Sequence, residues 1–455
     1  MEKNKQIYVS AVLSFVISLI ILFRNNFLAD TDPYLHISIV KYLSLYGFPE
    51  ENPFILLTPE NFNFISEKWL FYSVVSIFFR LLPFSDFVIA KIYIATVFSS
   101  IVIGLGIILR RLEIKPIYSL LIFAYPFQLF LKLRPEPLGI FLMLALIATL
   151  LKKQKDHVKI SISVIILLFH SQSHAFFILD YVILLLYSVY FKEWKVLISA
   201  PLSLIFGVLL NPYGTIWIST LYLDTIPRLS FSSSLGPSEL LRPEPIEFLL
   251  FAVIFGFLYK KLKPTKKVST NFFITASFLA LISSVVFLRA IPYLIIFLAI
   301  LSALYIHRIK GLNYIKTLLL LFAVMNPLLT TVYPEQFSPY YDEPLQLEVL
   351  NRVGENEIVL SQWDLSPYVV YYTDSPVIVA GDAYYLWLFS PDIYRNYDSI
   401  LKGNITNIDA INFTVLYFDK QRFPELHYAA RKDERLSLIY ENNRFVDYRY
   451  TALTF

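Results

Sequence analysis

Long apolar runs, separated by short charged stretches, fill the first 332 residues of the chain. Such runs read as membrane-crossing helices, because only a helix satisfies its own backbone groups inside a bilayer. Eleven spans are predicted, over 7–23, 87–109, 116–132, 137–151, 159–170, 174–191, 195–210, 246–260, 271–288, 290–306 and 313–332. Several are shorter than the ~20 residues a perpendicular helix needs, so their ends are expected to run into the flanks. Met1–Lys5 followed by the first run has the form of a signal peptide, but no small-x-small site follows, and the run is read as an uncleaved anchor.

Segment 69–84 breaks the pattern. As a helix it would be about 24 Å long, less than the ~30 Å hydrocarbon core. Ser73, Ser76 and Arg80 recur at i, i+3 and i+7 and form one polar stripe. The spacing predicts an amphipathic helix lying in the interface.

Beyond Pro334, Pro339 and Pro344, which mark a linker over 333–344, the pattern changes. Ile358–Trp363, Tyr368–Tyr372, Val377–Ala380 and Thr414–Phe418 read as strands, Tyr384–Leu401 and Phe423–Lys432 as helices. Leu436–Tyr450 reads as a closing hairpin turning at Asn442-Asn443. The predicted architecture is therefore a mostly α, polytopic membrane body over 1–332, with an outer loop at 24–68, joined to a small α/β domain over 345–455. No internal repeat of fold length is visible.

Composition agrees. Hydrophobic residues make up 56% of the 455 and charged residues 16%, against roughly 25% charged in soluble domains. A soluble enzyme and a disordered chain are both excluded. The absence of Cys removes disulfides, thiolate metal sites and cysteine nucleophiles.

Charge divides the chain and orients it. Residues 1–332 carry 29 Lys and Arg against 17 Asp and Glu, and residues 333–455 carry 10 against 18. With 69–84 lying flat and the N-terminus inside, about 19 of the 29 basic residues of the body fall on inner loops and their edges, as the positive-inside rule requires. Counting 69–84 as a span would throw Arg110-Arg111 and every later basic loop outside. The cations thus mark cytoplasmic loops rather than nucleic-acid binding, and the acidic domain lies outside the membrane's cytoplasmic face.

That topology gathers the polar residues with chemical potential at the outer face. Asp30 and Asp32 follow the first span; carboxylates beside a low-dielectric surface are costly unless hydrated, paired or metal-bound. Either could take a proton or hold a divalent cation against a phosphate; Asp32 before Pro33 fits a helix N-cap equally well. Lys132-Leu133-Arg134-Pro135-Glu136-Pro137 links two spans, and Leu-Arg-Pro-Glu-Pro recurs around Arg242 and Glu244. Arg suits phosphate, and Arg and Glu can also neutralise each other at a corner. His170 and His174 stand at i, i+4 in a polar span junction suited to hydrogen bonding or acceptor contacts. Arg289, between two apolar spans, must pair, snorkel or bind an anion. No Walker loop, dinucleotide fingerprint, HExxH or Gly-x-Ser-x-Gly is present. Asp180 is the main charge inside a span.

The layout as a whole resembles GT-C membrane glycosyltransferases. Asp32-Pro33-Tyr34-Leu35-His36, with Lys41-Tyr42-Leu43 and Gly47-Phe48 after it, resembles the first acidic motif of oligosaccharyltransferase catalytic subunits. Lys132–Gly139 sits where that family carries its second acidic motif, with Glu136 as the matching acid. Gln362-Trp363-Asp364-Leu365-Ser366 resembles the family's Trp-Trp-Asp-Tyr-Gly region, but has one Trp and no Gly. Glu67-Lys68-Trp69-Leu70 resembles the start of the interfacial helix in lipid-dependent protein-mannosyl and aminoarabinose transferases. These motifs cover about thirty residues and reach the superfamily, not a subfamily.

The resemblance implies an inverting glycosyltransferase. Nucleotide sugars stay inside, so an outward site implies a polyprenyl-phosphate-linked donor. Asp32 would be base or metal ligand, supported by Asp30, and Glu136 would complete the acidic site. Arg134, Lys132, Arg289, Lys68 and Arg242 would hold the donor phosphate. His36, His174, Trp363 and Asp364 would line the acceptor side. A divalent cation (Mg or Mn) could sit on Asp32 and Glu136. The acceptor is a lipid, glycan or protein, membrane lipids surround a monomer, and no nucleic acid is involved. The alternative is a non-enzymatic flippase or transporter of lipid-linked sugars, which would use the same cations without breaking a bond.

Overall fold

The structure is a computed structural model that describes residues 2–24, 32–49, 53–56, 68–174, 177–225, 245–262, 267–286, 290–309, 313–330, 343–354, 357–379 and 384–451. The first part contains α1 (Glu2–Phe23), α2 (Asp32–Tyr46), α3 (Trp69–Leu81), α4 (Asp86–Arg111), α5 (Pro135–Leu150), α6 (Asp156–Ser171), α7 (Ile178–Phe191), α8 (Ser199–Leu210), α9 (Ile216–Thr225), α10 (Pro245–Leu262), α11 (Val268–Val286), α12 (Ile291–Arg308) and α13 (Asn313–Thr330). The last part contains α14 (Glu343–Leu350), β1 (Val359–Ser361), α15 (Ser366–Thr373), α16 (Tyr384–Phe389), α17 (Pro391–Leu401), β2 (Val415–Asp419), α18 (Pro424–Ala430), β3 (Leu436–Glu441) and β4 (Phe445–Tyr450).

The helices α1, α4, α5 and α6 pack in succession. Their seams are lined by small residues, which let helices approach where no hydrophobic effect drives them together. A Cβ on Gly104 of α4 would stand 3.0 Å from Leu144 Cβ of α5, and Ser99 of α4 donates to the Ala11 carbonyl of α1 at 2.8 Å. Among the described residues, α1, α4 and α12 are long and apolar enough to cross a bilayer, and other apolar helices are shorter, at 10–17 residues. Leu318, Leu321 and Phe322 of α13 and Ile205, Leu209 and Leu210 of α8 point outward, an apolar exterior that suits lipid rather than water. The chain is a membrane protein.

Four predicted elements are different in the structure. Residues 116–132 form no continuous α-helix; they coil as 3-10 helices over Pro116–Ala124 and Phe127–Phe130. Pro126 has no N–H to continue a helix and its ring blocks the preceding turn. Residues 368–372 are not a strand but lie in α15, where Pro367 in the first turn sets a helix start. Packing on α2 prevails there over the β preference of Val369 and Val370. Val377 makes only isolated bridges, to Ile55 and Val359, and the helix expected over 384–401 is interrupted at Ser390 before Pro391.

Four strands form a sheet in the order β1-β2-β4-β3, parallel between β1 and β2 and antiparallel elsewhere. The hairpin turns as expected, with Asn442 Oδ1 accepting from the Arg444 and Phe445 amides. Strand alternation gives the sheet two apolar faces. Leu416, Phe418, Val446 and Tyr448 pack with Tyr397, Ile400 and Leu426 in one core. Val415, Tyr417 and Phe445 belong to the large core that runs through the helices. The junction between the two parts is α2, whose residues from Pro33 to Val40 are all buried. It is held between α3 on one side and α15 on the other. Tyr34 of α2 stacks at 4.4 Å from the Tyr368 ring and 5.5 Å from Tyr371. Asp86, opening α4, receives both Lys41 of α2 and the Tyr371 hydroxyl at 3.3 Å.

Candidate active site

Asp32 is the first residue of α2, followed by the Pro33 that presets the helical φ. Its carboxylate is paired with a residue distant in sequence: Arg134 Nη2 lies 2.7 Å from Asp32 Oδ2. Arg134 holds the N-cap position of α5 in extended conformation and makes no side-chain cap hydrogen bond. Its side chain is 10% exposed and that of Asp32 26%, so the pair stands at the edge of the protein's dry interior. Pro135 and Pro137 flank Glu136 in the first turn of α5, where the helix dipole favours a carboxylate.

Glu136 is buried and faces His174, whose Nε2 is 3.5 Å from Glu136 Oε1. Two charge-bearing pairs, Asp32 with Arg134 and Glu136 with His174, therefore meet the start of α5 two residues apart. The turn after α6 carries His174 and is fixed from several directions. Gln172 Oε1 accepts from Trp69 Nε1 at 2.7 Å and from Asn211 Nδ2 at 2.6 Å. Its carbonyl accepts from the Leu70 amide. The start of α3 is thereby tied to the site, with half-buried Lys68 immediately before it. Lys132 is half-buried, and its carbonyl accepts from the Arg134 amide at 3.0 Å.

The other expected residues are placed differently. His36, one turn along α2 from Asp32, is buried against α3, with Nδ1 3.0 Å from the Tyr72 hydroxyl and its ring edge-on to Phe71. Asp364 is ion-paired with Arg422. Trp363 packs against the sheet's own core. Both precede α15, the helix that rests on Tyr34. Asp30, Arg242 and Arg289 lie outside the described residues.

The polar residues of α3 find partners within the protein. Ser73 and Ser76 bond back to the Trp69 and Ser73 carbonyls, and exposed Arg80 reaches the Leu43 and Ser44 carbonyls at the C-terminus of α2. Ile77 and Leu81 are exposed beside it. Three partners escaped sequence reasoning: Tyr72, Arg422 and the accepting role of Gln172. Each is ordinary in its own segment, and only the fold brings it to its partner.

Among the described residues no three His, Asp or Glu side chains gather into a metal-binding group. Arg134 Nη2 lies on one oxygen of the Asp32 carboxylate. An anion would find the Arg134 guanidinium there, and a divalent cation the carboxylates of Asp32 and Glu136.

No protein-family model matches the chain, and no curated protein matches it by sequence. Solved structures do match its fold. ArnT from Cupriavidus metallidurans, bound to undecaprenyl phosphate, has a TM-score of 0.65 at 12% identity, covering 99% of this chain and 98% of that one. The oligosaccharyltransferase AglB from Archaeoglobus fulgidus, in complex with an inhibitory peptide and a dolichol-phosphate, has a TM-score of 0.61 at 11% identity, covering 100% and 74%. The mycobacterial arabinofuranosyltransferase AftD has a TM-score of 0.58 at 13% identity, covering 97% of this chain and 40% of its own. The chain has the GT-C fold that these three membrane glycosyltransferases share.

Proposed function

We propose that the chain is a membrane glycosyltransferase that moves a sugar from a polyprenyl-phosphate-linked donor to an acceptor at the outer membrane face. The observation that carries this reading is the Asp32–Arg134 pair beside Glu136 and His174. It puts a proton acceptor and a phosphate-binding cation side by side at the ends of α2 and α5. The lipid phosphates in the ArnT and AglB structures support the donor class.

In this reading the donor phosphate approaches Arg134, which carries five N–H donors in a planar fork suited to phosphate oxygens. Lys132 and Lys68 add charge. An acceptor hydroxyl attacks the anomeric carbon from the face opposite the phosphate. The bond from that carbon to the phosphate oxygen breaks, and its electron pair leaves on the polyprenyl phosphate. Asp32 takes the proton of the hydroxyl. Negative charge develops on the leaving phosphate, and fixed cations in a site poor in water stabilise it most there. Asp30, Arg289 and Arg242 belong to the proposal as further charges at the same face, and eleven spans with an inward N-terminus remain its topology. A divalent cation (Mg or Mn) on Asp32 and Glu136 would add to these charges.

The test uses the full chain in lipid nanodiscs with a polyprenyl-phosphate-linked sugar and measures free polyprenyl phosphate formed. Wild type should release it and Asp32→Asn should not. Undiminished release by Asp32→Asn removes that residue from the chemistry. Passage of intact donor between leaflets without release points to a transporter instead.

A further inference from the structure

The turn that carries His174 meets α5 at two points. His174 faces Glu136 at 3.5 Å. His170, at the end of α6, presses on Gly139, one turn along from Glu136: a Cβ at Gly139 would lie 2.5 Å from His170 Nε2. The two contacts are in register, because the His174 amide donates to the His170 carbonyl at 3.1 Å and continues the helical turn. Glu136 and Gly139, at i and i+3, share a face of α5.

A third element stands behind His170. Asp180, in the first turn of α7, places Oδ2 2.6 Å from His170 Nδ1, and neither side chain has any exposed surface. Among the described residues His170 Nε2 has no hydrogen-bond partner. Asp180 is therefore the polar group that orients the ring. With the Nδ1 proton directed to that carboxylate, Nε2 faces Gly139 with its lone pair. The contact from His174 to Glu136, at 3.5 Å, is longer than an ordinary hydrogen bond and does not set its own geometry. The position of the turn sets it.

We infer that Asp180 is a positioning residue for the Glu136–His174 contact, acting through His170 and the glycine at 139. The inference rests on the reading of Glu136 and His174 as part of the transfer site, and its test is separable from that reading. The chain has six histidines, so the full-length protein with isotope-labelled histidine gives a sparse spectrum. His174→Gln identifies the His174 signal. Gly139→Ala and Asp180→Glu leave net charge unchanged and move His170 from opposite sides. Each folded variant should move the His174 imidazole resonances away from their wild-type positions. Transfer should lose about tenfold or more in kcat with donor KM within about threefold. Either variant decides if the other fails to fold. A folded variant whose His174 resonances and kcat match wild type overturns the inference. If the wild-type chain transfers no sugar, the proposed function fails while the resonances still decide the role of Asp180.

Discussion

Replacing Arg134 by Lys and Asp32 by Asn separates two roles that the structure joins in one ion pair. Arg134→Lys keeps a positive charge and removes the planar fork. Arg134 is 8% exposed, so a phosphate bond made there is shielded from water, and a hydrogen bond to a charged group contributes about 1.5–3 kcal/mol. Losing one predicts a rise in donor KM of roughly 10- to 150-fold. Asp32→Asn keeps the shape and removes the proton acceptor. General-base catalysis contributes roughly 10²–10⁴-fold, so kcat should fall by that factor, about 3–5 kcal/mol in the barrier, while donor KM stays within a few-fold. Stability adds an independent check. Breaking a buried pair costs about 3–5 kcal/mol, and partial hydration of the Asp32 side chain, 26% exposed, reduces that to about 1–3 kcal/mol. The double variant Asp32→Asn with Arg134→Gln should recover much of this loss, since neither charge is left alone. Initial rates over a donor series, with thermal unfolding of the same preparations, measure all four quantities. Identical KM and kcat signatures for the two single variants would refute the division of labour, and additive stability losses would refute the pair.

Gln172→Ala deprives Trp69 and Asn211 of a shared acceptor that is 1% exposed; at about 1–3 kcal/mol for each lost partner, thermal unfolding should drop by several degrees, and Gln172→Glu should drop less. Burial pushes the Asp447 carboxyl in β4 up to about 7. An acid raised in the folded state binds more protons folded than unfolded, so its contribution is full below about pH 4 and is lost as pH rises toward 7, about 4 kcal/mol in all. Unfolding temperatures across that range should fall with pH for wild type and flatten for Asp447→Asn; equal slopes refute this. Asp364→Ala, which breaks a partly exposed pair with Arg422, should cost about 0–1 kcal/mol; little change in transfer kinetics would make that pair structural, and a large loss of kcat would place Asp364 on the acceptor side. The chain has no Cys, so Ser437→Cys and Lys153→Cys, both at exposed positions, report topology directly. An impermeant maleimide should label the first in intact cells and the second only after permeabilisation.

Local rules carried the sequence reading wherever the cause of structure is local. The proline in Asp32-Pro33 marked a helix start, and a helix begins there; the span predicted from 137 begins two residues earlier, at Pro135. Alternation and an Asn-rich turn marked the final hairpin. The same kind of rule failed where average hydropathy hid a breaker, as at Pro126, or where burial against another helix outweighed strand preference, as at Val369 and Val370. At α3 the stripe of Ser73, Ser76 and Arg80 states that three side chains need polar partners, and water is only one source of them; backbone carbonyls of α3 and α2 also supply them, and Arg80 stays exposed.

The site shows the same division. Polar residues beside apolar spans are costly, so their presence at 32, 134, 136, 170, 174 and 180 was a sound signal that each is engaged. The identity of the partner is a different kind of fact. Trp69 and Gln172 are 103 positions apart, and the pairs Asp32 with Arg134 and Glu136 with His174 also join separate elements. Spacing along one helix carries no information about a neighbour on another. What narrows the choice is scarcity: with so few charges near the apolar body, an unpaired one costs more than almost any rearrangement that would pair it. The network around α5 is the arrangement that spends its few charges on one another and still leaves Asp32 and Arg134 at the protein's edge, where a substrate can compete for them.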